Sequence, residues 1–291
     1  MLTPELCWRN GKITSLAAAA IHPLDRGFRF GDGLFETLRA DAGRVAFARE
    51  HLARLRHSAE VFKLAVPDSD SELIAAMHDL LAVNRLMDAR LRLTVTRGLH
   101  SGNLGLPPAA SPTVLLMAEP LAENLRERQT RGVSLALASL RIPRSFLLAR
   151  HKTLNRLPYL YAREQAQSQG AFDALLLDEQ GQVAETTAAN LFIVHGRRLL
   201  TPPLLAPILP GITRAAVLQL AREKGLAPDE LDFPPEKLFA ADEVFVTSAI
   251  AEVLPVNEVE GKKIGSGAPG PISRELLAAY QELARSKDPR A

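Results

Sequence analysis

A chain of 291 residues exceeds what one small core needs and suits two packed domains. Its 35 basic and 33 acidic residues are interspersed and leave a net charge of only +2, so no basic block points to nucleic acid. The one cysteine, Cys7, excludes an internal disulfide framework and fits a reducing compartment. The start, MLTPELCWRNGKI, has no signal-peptide core, no apolar run approaches a membrane span, and no metal site is expected; the expectation is a cytoplasmic protein.

In chain order, Asn10-Gly11 predicts a hairpin between two short strands. Asp25-Arg26-Gly27 and Gly31-Asp32-Gly33 read as turns around an aromatic segment; no Gly-Lys-Ser/Thr follows, so they do not form a phosphate-binding loop. Leu34 to Ala40 and Val45 to Ala48 read as strands. Arg49 to Leu64 is an amphipathic helix with Leu52, Leu55, Ala59 and Phe62 at helical spacing. Arg54 lies beside that stripe, either as a solvated side chain or as an inward-reaching phosphate ligand, and spacing does not choose. A second helix covers Ser71 to Leu86. In the strand Arg90 to Arg97, Leu91, Leu93 and Val95 alternate with Arg92, Thr94 and Thr96; the polar face lines a cavity or meets bulk water. The loop LHSGNLGLPPAASP is long enough to be functional, and Thr113 to Ala118 is a further strand.

A polar run, AEPLAENLRERQTRG, marks the expected boundary: a small domain over 1–120, a linker over 121–131, and a larger domain over 132–291. Val133 to Ser139 opens the second part as a strand. Then comes HKTLNRLPYLYARE, with Lys152 ahead of a helical run ended by Gly170, and GQVAETTAANLFIV, with Glu185 just past a hairpin turn. A lysine near apolar surface can act as a nucleophilic amine and condense with an aldehyde. A carboxylate in the same pocket can pair with a protonated pyridine nitrogen and make that ring an electron sink. Asn190 to Val194 and Arg198 to Thr201 read as strands. Pro210-Gly211 turns the chain into a helix starting at Ile212-Thr213-Arg214, whose small residues leave backbone N–H groups and a positive dipole end for an anion. Asp242 to Ile250 is a buried strand running into small polar residues, and a helix from Ile272 to Arg285 closes the chain.

These stretches, with DRGFRFGDGLFETLR, HLARLRHSA, RLRLTVTRG, LPGITR and ADEVFVTSAIAEVLPV, match in order and spacing a known family. The chain resembles the class IV (fold-type IV) pyridoxal-phosphate enzymes, which include branched-chain and D-amino-acid aminotransferases and aminodeoxychorismate lyase. The resemblance implies an α/β (α+β) fold with a small N-terminal α/β domain and a larger C-terminal pseudo-barrel carrying the Schiff-base lysine. It implies pyridoxal 5'-phosphate as cofactor, small amino and 2-oxo acids as substrates, and a homodimer. By the same resemblance Lys152 is catalytic, Glu185 pairs with the ring nitrogen, and Arg54 binds phosphate with Ile212, Thr213, Ser248 and Ala249. Asn190 braces the Glu185 loop, and Arg156 stands where the branched-chain enzymes carry a tyrosine that touches the cofactor.

The substrate end is less defined. LNRL and AANLF resemble the lyase, whereas Gly-Ile-Thr-Arg resembles the transaminases, and the loop after Arg97-Gly98 carries the carboxylate arginine of neither relative. Phe35, Arg92, Arg97 and Thr187 are the candidates for substrate binding, with Arg92 ranked first because Thr94 and Thr96 share its face. Amino-group transfer is the favoured reaction. The alternative is release of pyruvate from 4-amino-4-deoxychorismate to give 4-aminobenzoate.

Overall fold

The computed structural model describes residues 5–100, 104–107 and 111–288. The chain divides into two compact units. The first opens with Leu6–Arg9 (β1) and Lys12–Ser15 (β2), joined through Asn10 (φ 43°) and Gly11 (φ 86°), the two positive φ angles that a type I′ hairpin requires. The aromatic segment is a short helix, Arg26–Phe30 (α1), whose Gly27 N–H donates to the Asp25 side chain at 2.7 Å. Gly33–Asp41 (β3) and Arg44–Val45 (β4) follow. The expected strand to Ala48 stops at Val45, because Phe47 adopts a left-handed φ of 56° and starts the helix Ala48–Val61 (α2). Asp70–Val83 (α3) begins in a capping box made by Ser69 and Glu72. Ala89–Thr96 (β5) and Thr113–Pro120 (β6) complete a fully antiparallel sheet of order β2-β1-β6-β5-β3-β4.

Strand alternation sorts this sheet into two faces. Leu34, Leu38, Leu91, Leu93 and Val95 pack with Leu52, Leu55, Leu73 and Met77 of α2 and α3 in one core. The opposite face carries Phe35, Thr37, Arg92 and Thr94, with Phe35 directly across from Thr94 and Thr37 across from Arg92. Residues 151–155 also belong to this unit. The Phe35 N–H donates to the Lys152 carbonyl at 2.9 Å, the Leu154 N–H donates to Gly33 at 3.0 Å, and Thr153 bridges Leu34. This differs from the expected boundaries: backbone pairing to β3 draws the Lys152 segment into the first unit. The chain end from Ala284 joins the same unit, where the Phe47 N–H meets the Lys287 carbonyl.

The second unit starts inside the expected linker, where Leu125–Arg131 is a helix (α4). Val133–Ile142 (β7), Leu157–Ser168 (α5), Asp173–Asp178 (β8), Val183–Thr186 (β9), Asn190–His195 (β10) and Arg198–Thr201 (β11) follow. Next come Ile212–Glu223 (α6), Ala227–Glu230 (β12), Glu236–Phe239 (α7), Glu243–Ser248 (β13), Glu252–Val259 (β14), Lys262–Lys263 (β15) and Pro271–Ser286 (α8). Pairings run β10-β13-β14-β7-β8-β9 and return from β9 to β10 through Glu185 and Asn190, so six strands close into a barrel. Leu135, Leu175, Leu191, Ile193, Val244, Val246 and Leu254 fill it. Outside, the small residues Ala136, Ala138 and Ala174 admit α5 to close packing. Phe192 and Phe245 stack with ring centroids 5.0 Å apart, and α6 packs on β13. A mixed α/β chain with a small N-terminal sheet unit and a larger barrel unit is therefore what folds. No helix among the described residues is long and apolar enough to cross a membrane.

Candidate functional site

Two groups of the expected residues assemble, one in each unit. In the first unit, Phe35 is the organising side chain. The Lys152 Nζ lies 4.7 Å from its ring centroid and the Arg92 guanidinium 3.9 Å from it, so an amine and a guanidinium share one aromatic surface. Lys152 and Arg92 are each half-buried. Alternation along 151–155 places His151 and Thr153 opposite to Lys152. His151 is buried, its Nδ1 2.9 Å from the Ser58 hydroxyl and its ring edge-on to Phe62. The residue before the lysine thus keys the segment onto α2.

Beneath the sheet, on the face of α2, Glu36 is 1% exposed and receives Arg54 through Nε at 2.8 Å and Nη2 at 2.6 Å. His51 Nδ1 sits 2.7 Å from the same carboxylate. Burial would raise the Glu36 pKa, but the charge of Arg54 and the bonds from His51 and Arg54 outweigh it and hold the carboxyl at about 2. Burial pulls His51 below its ordinary range despite Glu36, with Arg54 and Lys152 adding to the depression. A neutral His51 then donates its Nδ1–H to Glu36. Arg54 is therefore a side chain fixed in place by a buried carboxylate, which its helical spacing did not reveal.

Arg97 requires a correction. It is 2% exposed, and its Nε donates to Asp32 at 2.9 Å while its terminal nitrogens donate to the Lys63 and Phe62 carbonyls at 2.7 and 2.9 Å. With its donors engaged inside the unit it is a packing residue and has no surface for substrate. Of the loop that follows it, residues 101–103 and 108–110 lie outside the described residues.

In the barrel unit, Asn190 gathers the expected cofactor residues. Its amide donates to Glu185 Oε2 at 3.1 Å and to the Leu209 carbonyl at 2.9 Å, and the Leu209 N–H donates back to Glu185 Oε2 at 3.1 Å. Glu185 is thereby buried and braced by the loop that enters α6. Gly211, the residue ahead of α6, offers no side-chain cap; a Cβ there would lie 2.0 Å from the Asn190 Oδ1. α8 contrasts with it: its Ile272 and Ser273 N–H groups both donate to Glu243, each at 2.8 Å. Across the ladder from Asn190 stands Thr247, 2% exposed, whose hydroxyl has no hydrogen-bond partner among the described residues. Ser248 and Ala249 follow it directly, and the Thr213 hydroxyl lies 3.2 Å from that of Tyr280. The uncapped start of α6 and the unpartnered Thr247 hydroxyl, each neighbouring Asn190, are donors of the kind an anion takes up.

Arg156 stacks on Tyr159 at 3.9 Å and donates to the Thr187 carbonyl, while the Thr187 hydroxyl donates to Asp173 at 2.5 Å. Burial lowers the Arg156 pKa against the pull of Tyr159, Glu185 and Asp173. Tyr159 is pushed up to about 12 by burial and by Glu185, so its hydroxyl stays protonated. Tyr159, Thr247, Asp173, Glu36 and His51 were not singled out in the sequence. Only Tyr159 carried a local signal, three residues beyond Arg156 at the start of a helix.

Acid should act on the Glu36 cluster in one direction. Glu36 has a folded pKa below its ordinary 4.5, so its stabilisation is complete above pH 4.5 and is lost as pH falls toward 2; the depressed His51 also loses its contribution on acidification, from its ordinary 6.5 downward. Thermal melts from pH 7 to pH 2 should show that decline, with Glu36→Gln lowering Tm at pH 7 and flattening the segment between pH 4.5 and 2. Arg97→Gln should reduce unfolding free energy in urea by about 3–5 kcal/mol, because it strands the carbonyls and Asp32. Substrate KM should stay unchanged in that variant.

Comparison with known proteins supplies the remaining evidence. The family model described as amino-transferase class IV matches residues 33–259. A D-alanine aminotransferase of Bacillus licheniformis is 36% identical over 272 residues, covering 94% of each chain. A branched-chain-amino-acid aminotransferase of Salmonella typhimurium is 32% identical over 283 residues, covering 95% of this chain and 92% of that one. Among solved structures, a T.th. branched-chain amino acid aminotransferase with pyridoxamine 5'-phosphate superposes with a TM-score of 0.90 at 28% identity, covering 100% of this chain and 97% of that one. With the family model matched over most of the chain and relatives at 36% and 32% identity over nearly its whole length, this chain belongs to the class IV aminotransferases.

Proposed function

We propose that the protein binds pyridoxal 5'-phosphate through Lys152 and transfers an amino group between an amino acid and a 2-oxo acid. The observation that carries this reading is the pairing, around Asn190, of a buried carboxylate with an uncapped helix start and a buried hydroxyl without a partner. A carboxylate and an anion cradle held by one amide suit a ligand with a protonated ring nitrogen and a phosphate. Glu185 would take the ring N–H; the N–H groups of Ile212 and Thr213, the Thr247 hydroxyl and the Ser248-Ala249 turn would take the phosphate, with Arg54 as a further cation. When bound, that cofactor withdraws electrons from the bond to be broken.

The roles of the chain's own groups follow from their chemistry. The Lys152 amine would hold the cofactor and, as a base, would take and return the α-proton of the substrate. Arg92, held over the Phe35 ring, supplies a planar fork for a substrate carboxylate, and Phe35 supplies the apolar wall beside it. Arg156 ties the Thr187 loop to α5 and sets a positive charge near Glu185. Asn190 holds Glu185 in one orientation. Transamination is preferred to pyruvate release because the relatives at 36% and 32% identity are both named aminotransferases, one for D-alanine and one for branched-chain amino acids. A cytoplasmic homodimer is part of the same reading; Leu157, Leu160 and Tyr161, exposed along one side of α5, form an apolar stripe available to such pairing.

Purified protein loaded with the cofactor and offered a panel of L- and D-amino acids should convert to the pyridoxamine form with one class of them. Lys152→Ala should lose the visible absorption of the lysine-bound cofactor and at least about 10²–10⁴-fold in rate. Pyruvate release from 4-amino-4-deoxychorismate without such conversion would overturn the reading. Arg92→Leu should raise KM for the amino acid by about 10-fold or more, with a smaller change in kcat.

A further inference from the structure

The first unit contains a cavity of about 420 Å³ lined by Arg9, Asn10, Ala20, Ile21, His22, Pro23, Leu99, Ser111 and Thr113, none of which takes part in the chemistry above. Cross-strand pairing locates it. Arg9 faces Leu115, Leu115 faces Thr94 and Thr94 faces Phe35, so Arg9 shares the face of Phe35 but stands three strands away, about 14 Å at 4.8 Å per strand. We propose that this cavity is a second binding site, for a small carboxylic acid with an apolar body.

The charge inventory supports an anion. The Arg9 Nε is sealed from solvent and has no hydrogen-bond partner among the described residues, which leaves a buried N–H wanting an acceptor. The nearby carboxylate does not supply one. Asp25 is 1% exposed and its oxygens already accept from the Gly27 N–H and from the Thr96 and Thr113 hydroxyls at 2.7–2.9 Å. The Asn10 side chain is likewise engaged, with Pro112 and Val114. His22 accepts the Leu24 N–H on Nδ1 at 3.0 Å, which fixes the tautomer that carries its proton on Nε2. Arg9, His22 and the Ser111 hydroxyl therefore present donors, and the group that satisfies them must be an acceptor.

The walls narrow the class. Ala20, Ile21, Pro23 and Leu99 are apolar, and the volume lies in the range of small-molecule sites. A guanidinium with His22 and Ser111 as further donors beside four apolar residues favours a planar carboxylate that carries a short hydrocarbon tail over a fully hydrated oxyanion.

The test is calorimetric titration of the cofactor-loaded protein with 4-methylpentanoate, its uncharged amide and inorganic phosphate. The wild-type protein should bind two carboxylates per chain, one of them displaced by the amino-acid substrate. Arg9→Gln should weaken the other by about tenfold or more while leaving kcat and KM for transamination unaltered. His22→Gln, which keeps Arg9, should weaken the same event to a lesser degree, and the amide should not bind there. A wild-type stoichiometry of one, an Arg9→Gln variant that keeps both events, or phosphate binding as tightly as the carboxylate would each overturn the proposal.

Discussion

A carboxylate removed from water keeps its charge only where other donors replace the water. This constraint shapes both halves of the molecule. Glu36 is surrounded by Arg54 and His51, and Glu185 by the Asn190 amide and the Leu209 N–H. In each case the donors come from a different element than the carboxylate, so satisfying the charge also fixes geometry. Glu36 ties β3 to α2 and immobilises Arg54. Glu185 ties β9 to β10 and to the entry of α6, and the same Asn190 closes the barrel ladder.

The barrel's architecture gives that closure further effect. Because the β9–β10 ladder pairs Glu185 with Asn190, the carboxylate and the amide that donates to it are also the seam of the ring. Gly211 is required there by proximity, since a side chain at that position would collide with Asn190. The uncapped start of α6 follows from the same crowding. A helix terminus with free donors thus results from local packing around one amide and needs no special loop.

Much of this was legible in the sequence. The hairpin at Asn10-Gly11, the alternation of Leu91, Leu93 and Val95, and the helix opening at Ile212 all sit where local patterns place them. Lys152, Arg92 and Phe35 meet, as do Glu185, Asn190 and the start of α6. Local pattern could not show Arg97's partners, because a buried arginine that donates to carbonyls at 62 and 63 looks in one dimension like any arginine at a strand end. It could not show Thr247, whose significance depends on facing Asn190 across 57 positions, nor that the polar run after Pro120 contains α4. The position of residues 151–155 was also hidden: five residues pair with an edge more than a hundred positions earlier, and no periodicity reports such a return.

That return has a consequence for biogenesis. The first unit is assembled from three separated stretches, ending at 122, spanning 151–155, and resuming at 284. A nascent polypeptide emerging from the ribosome can form the six-stranded sheet early, yet the free rim of β3 stays unpaired until residues 151–155 are made, and the last tie awaits residues from Ala284 onward. The Lys152 amine is therefore delivered to its aromatic neighbour only after the scaffold around that neighbour already exists. Maturation of this unit waits on a segment made more than 240 positions after β3, and a product cut short before Ala284 would retain most of the sheet while lacking its final fastening.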